Sequence, residues 1–131
     1  MSEKKQDFGS KYLYAEDLLS GGEYRTATVT IAEVIPAGTL TAANGQQIDK
    51  PTLRFEGKDK MLVLCKTNQS MVVLSCGEQL EKSVGHSITL QPREVAAFGE
   101  QVLALRIIPP PGVKVRKRLA KELGTKAVWK K

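Results

Sequence analysis

Over Thr26–Ile31 apolar and polar positions alternate: Val29 and Ile31 fall on one side, Thr26, Thr28 and Thr30 on the other. Successive strand side chains point to opposite faces, so this pattern predicts a half-buried strand. It continues through Val34 to Ile35. Pro36–Gly45 reads as a loop, with Pro36-Ala37-Gly38 and Asn44-Gly45 as turn signals. Thr52–Glu56 predicts a second strand, with Leu53 and Phe55 on its core face and Arg54 pointing away. Gly57–Lys60 is short enough to make a hairpin with a third strand, Met61–Cys65, which is apolar on both sides and so should lie centrally in the sheet or be covered on both faces. The period then changes. Thr67, Asn68 or Ser70 can cap a helix near residues 69–76, and Gly77 stops it. Ser87–Gln91 and Gln101–Ile107 alternate again and predict two more strands, with Phe98-Gly99 at the turn between them.

Before the first strand, residues 1–11 are polar and expected to be disordered. Tyr12–Leu19 predicts a short strand or helical turn against the body, broken by Gly21-Gly22. After the last strand, Pro109-Pro110-Pro111-Gly112 favours a stiff polyproline spacer. The chain therefore divides into residues 1–11, a folded body over 12–109 and a Pro-hinged tail over 110–131. In the tail, Val115, Leu119 and Leu123 recur every four residues and Gly124 can end a short helix. About eleven residues are marginal as an isolated helix, so the tail is expected to be mobile on its own.

The order strand, strand, strand, helix, strand, strand predicts an all-β fold. It is the chain order of a five-stranded OB-fold-like Greek-key barrel with a short helix between strands three and four. Closing a small sheet on itself also removes exposed edges. A set of short motifs runs through this body: Leu53-Arg54-Phe55-Glu56-Gly57-Lys58, Leu62–Asn68, Gly85–Pro92, and Phe98-Gly99 on to Leu105–Pro109. The set resembles small phage- and prophage-encoded proteins with an OB-like core, over about residues 12–109. This chain has Cys65 where that pattern often has Asn, and His86 where it often has Lys. The resemblance implies an accessory of viral DNA replication and recombination, of the single-stranded-DNA-binding type, acting in the cytoplasm of a bacterial host.

Charge sharpens the division. Residues 1–112 hold 12 Lys/Arg against 13 Asp/Glu, whereas residues 113–131 hold eight against one, so the whole excess of +6 sits in the tail. Such asymmetry points to a polyanion or an acidic partner. Single-strand binding needs cations for phosphates and flat faces for bases. The body offers Arg54, Lys58, Lys60, Lys66, Arg93 and Arg106 as cations and Phe98 at a loop tip as a stacker. The tail adds Lys114, Arg116, Lys117, Arg118, Lys121 and Trp129. Tyr24 and Phe55 are weaker stackers, since Phe55 shares the core face of its strand. The expected partner class is thus single-stranded DNA. A recombination, replication or virion protein is the alternative, with the chain as a protein-interaction adaptor.

Catalytic chemistry is not expected. His86, the single histidine, reads as an exposed turn residue and lacks the oriented partners of a triad or the further ligands of a zinc site. No phosphate-loop or dinucleotide motif occurs, and no metal or cofactor is expected. Cys65 and Cys76 are too few for a disulfide framework and read as reduced, small hydrophobic residues. Met1–Asp7 leads into no apolar stretch and no long apolar run occurs, so neither a secretory signal nor a membrane partner is expected.

Overall fold

A computed structural model describes residues 11–42, 44–97 and 99–127. Its elements are β1 (Leu19–Ser20), β2 (Glu23–Tyr24), β3 (Ala27–Ile35), β4 (Thr52–Phe55), β5 (Leu62–Val63), α1 (Lys66–Cys76), β6 (Ser87–Ala97), β7 (Glu100–Ile108), α2 (Lys117–Glu122) and β8 (Thr125–Lys126), with single 3₁₀ turns at Ala15–Leu18 and Leu80–Lys82. The expected strands and the helix all form, so the molecule is β-rich with antiparallel pairing. The main sheet runs β5-β4-β3-β6-β7, and α1 lies in sequence between β5 and β6. Among the described residues β5 is therefore an edge strand and not the central one its apolar run suggests; Leu62 and Leu64 are buried in the core without a strand on the far side. Among the described residues no pairing joins β5 to β7, so the sheet is not a closed barrel.

The core follows the alternation. Val29, Ile31, Leu53, Phe55, Leu62, Ile88, Leu90, Leu105 and Ile107 line it, and Met71 and Val72 of α1 close one side. Phe55 is 1% exposed, which settles it as core. The register between β3 and β4 slips between Ile31 and Glu33, leaving Ala32 as the extra residue of a bulge. A bulge reverses which positions face inward. Beyond it, Val34 packs against the core cluster while Ile35 is also buried, so both sides of this strand end are covered.

β6 is longer than Ser87–Gln91 and runs through Pro92. It pairs with β3 through Leu90 and with β8 from Arg93. Pro92 falls in the gap between them. Its carbonyl accepts from Ala127 N–H at 3.0 Å. A strand residue points its N and O to the same side, so the N–H that proline lacks would face Ala127, just past the end of β8, and the ladders to β3 and β7 lose no bond.

Two further expectations are corrected. Thr67, Asn68 and Ser70 lie inside α1, whose N-terminal cap is Cys65; Gly77 does end the helix, at φ +70°. The 110–131 segment does not hang free over its described part. Leu123 is 7% exposed within the core cluster, Ala127 is buried, and β8 pairs with Arg93 and Glu94 of β6. The reason is that Leu119 and Leu123, an apolar stripe too short to hold a helix alone, find a core to cover.

Candidate polyanion groove

Three devices fix the C-terminal segment. Arg93 is partly buried between strands, and its guanidinium donates from Nε to Leu123 O at 2.9 Å, from Nη2 to Gly124 O at 2.8 Å and from Nη1 to Gln91 Oε1 at 2.6 Å. Burial lowers its affinity for the proton, and those three acceptors stand in for the water it has lost. Arg106 donates from Nε to Glu122 O at 3.1 Å. Gly124 has φ +65°, and a Cβ there would overlap the Glu94 carbonyl oxygen, so glycine is required for this approach.

The docked segment makes one wall of a groove of about 650 Å³, and α1 makes the other. Lys66 at the start of α1 lines it together with Lys114, Arg116 and Arg118. Val73, Leu74, Leu80 and Leu119 supply an apolar floor, and Glu122 is the acidic residue of the lining. The four cations are exposed. Among the described residues none of them is held in an ion pair. Val73 is 42% exposed, so the floor is open to solvent.

The other expected site residues separate into two groups. Arg54 donates to Glu33 Oε1 at 3.1 Å, and Lys60 donates to Asp17 Oδ1 at 2.7 Å, so both are neutralised by neighbours. Arg93 and Arg106 are occupied with backbone carbonyls, as above; they build the groove and do not line it. Lys58 is exposed but lies by Phe55 and Leu90 on another part of the surface. Lys117 and Lys121 are exposed on α2 outside the groove lining. Phe98 and Trp129 lie outside the described residues. The face of β4 and β5 thus gathers fewer free cations than expected, and the α1–C-terminal groove gathers more.

Sequence reasoning missed that Lys66 belongs with the tail cations. No local signal links those positions, because their meeting depends on where the segment docks. His86 Nε2 lies 3.5 Å from Glu78 Oε2, with both side chains half-exposed. Cys65 and Cys76 are both free and partly buried. Among the described residues no group of three or more His, Cys, Asp or Glu is placed to hold a metal, and no helix is long and apolar enough to cross a membrane. Compared with known proteins, the chain matches no family model, no curated protein and no solved structure.

Proposed function

We propose that the chain is a non-catalytic single-stranded-DNA-binding or accessory protein of phage or mobile-element DNA replication and recombination. The observation that carries this reading is the gathering of Lys66, Lys114, Arg116 and Arg118 on one groove, exposed and unpaired by any described acid. Cations held in fixed register are what a phosphate chain requires, and each phosphate neutralised releases a counterion. The finer fold reading supports it. The spatial order β5-β4-β3-β6-β7 with a helix before β6 is the order expected of an OB-like core whose last closure is left open. The motif resemblance over residues 12–109 points to the same class of protein.

A second reading has one observation of its own. The apolar floor around the exposed Val73 fits a protein partner, which would make the chain an adaptor on a replication, recombination or virion protein. Titrating fluorescent oligo-dT with the full chain, and with a Lys66→Gln/Arg116→Gln/Arg118→Gln variant, decides between them. Binding at low salt that the variant loses is expected. Absence of binding by the full chain at low salt would leave the adaptor reading in its place.

A further inference from the structure

Resting on the single-strand reading, we infer that the nucleotide seat is the preformed groove between α1 and the docked C-terminal segment, and that this segment acts as a wall and not as a flexible charged arm. A mobile arm would need only its charge. This segment is instead locked by Arg93 to Leu123 O and Gly124 O, and by a glycine whose place no other residue can take. The lock brings Arg116, Arg118 and Leu119 to the groove that Lys66, Val73 and Leu74 of α1 also line. Cations at the rim and hydrocarbon at the floor match the two halves of a nucleotide. Phosphate oxygens take the rim, and the flat face of an unpaired base covers the floor. A duplex hides its base faces by stacking and offers the floor nothing. The volume, about 650 Å³, lies in the ~300–1,000 Å³ range of small-ligand sites, room on the order of one or two nucleotides.

Gly124→Ala tests the wall directly, because it changes no charge. It should free the Ala127 amide to exchange, weaken oligo-dT binding by the full chain about tenfold and flatten the salt slope by about two units as three rim contacts lose register. Release of the segment with unchanged affinity would overturn the inference while leaving DNA binding intact. A second pair of variants avoids any dependence on folding. Val73→Glu puts an acid on the groove floor, and Val84→Glu puts the same acid on another exposed valine outside the lining. The first should abolish oligo-dT binding and the second should barely change it. Equal weakening by both would mean that only net charge matters and would overturn the seat. Failure of the unaltered chain to bind oligo-dT at low salt would instead sink the single-strand reading itself. Tighter binding of poly-glutamate than of oligo-dT would overturn the nucleotide as occupant in favour of an acidic protein segment.

Discussion

Asn68 stands where a further strand would lie. Its Nδ2 donates to Leu105 O at 2.9 Å and its Oδ1 accepts from Ile107 N–H at 3.1 Å, so one side chain makes the two bonds a neighbouring ladder residue would make. It is 2% exposed. Asn68→Ala leaves a buried N–H and a buried carbonyl without partners, at ~1–3 kcal/mol for each group. A loss of about 2–6 kcal/mol in urea unfolding is therefore expected; a loss under about 1 kcal/mol would contradict this role. Asn68→Asp should also destabilise, because it sets an acceptor against the Leu105 carbonyl. The sequence marked Asn68 as a cap candidate because asparagine suits helix starts, and its partners lie 37 and 39 positions away, beyond any local pattern. At Cys76, burial first and Glu78 second push the thiol upward. The folded thiol keeps its proton to higher pH than the unfolded one. That contribution is fully present below the unfolded thiol's range, about pH 8.5, and is lost as pH rises from there through the folded thiol's higher range. Thermal melts should show the native chain losing stability above that pH more steeply than Cys76→Ala; parallel slopes would rule the contribution out.

Among the elements, the C-terminal one departs most from expectation. The four-residue spacing of Val115, Leu119 and Leu123 and the turn at Gly124 were legible, and α2 and the φ +65° glycine appear there. What was not legible is the receiving surface. Charge shows in composition, so +7 against −1 argued for detachment, whereas Arg93's bonds to Leu123 and Gly124 cross 30 and 31 positions. Leu123→Ala should cost about 2–3 kcal/mol in urea unfolding of the whole chain, the lower part of the range for truncating a core leucine. If the segment were only an appendage, that change would leave the midpoint unmoved. The strands of the body were legible because they alternate, and Phe55 was placed correctly by its phase with Leu53. β6 was read too short because Pro92 forbids a ladder donor. The gap between β3 and β8 removes the need for one.

For the molecule as a whole, docking turns a charge imbalance along the chain into one across the surface. The Lys114–Arg118 cations line the same groove as Lys66, and on the β4–β5 side Arg54 and Lys60 are met by Glu33 and Asp17, which leaves Lys58 exposed there. A single strand seated on four cations should give a slope of log affinity against log salt of about −3, at ~−0.7 per phosphate. A slope near zero would mean that phosphates are not what the surface holds. Proximity of the fixed cations to an apolar floor separates this site from a merely basic surface, and its location is the central claim. Backbone-amide NMR of the full chain, recorded with and without a short oligo-dT at low salt, tests it most directly. Shifts concentrated in residues 66–74 and 114–122 are expected. Shifts concentrated instead in residues 52–63 of the β4–β5 face, with 66–74 and 114–122 unmoved, would contradict it.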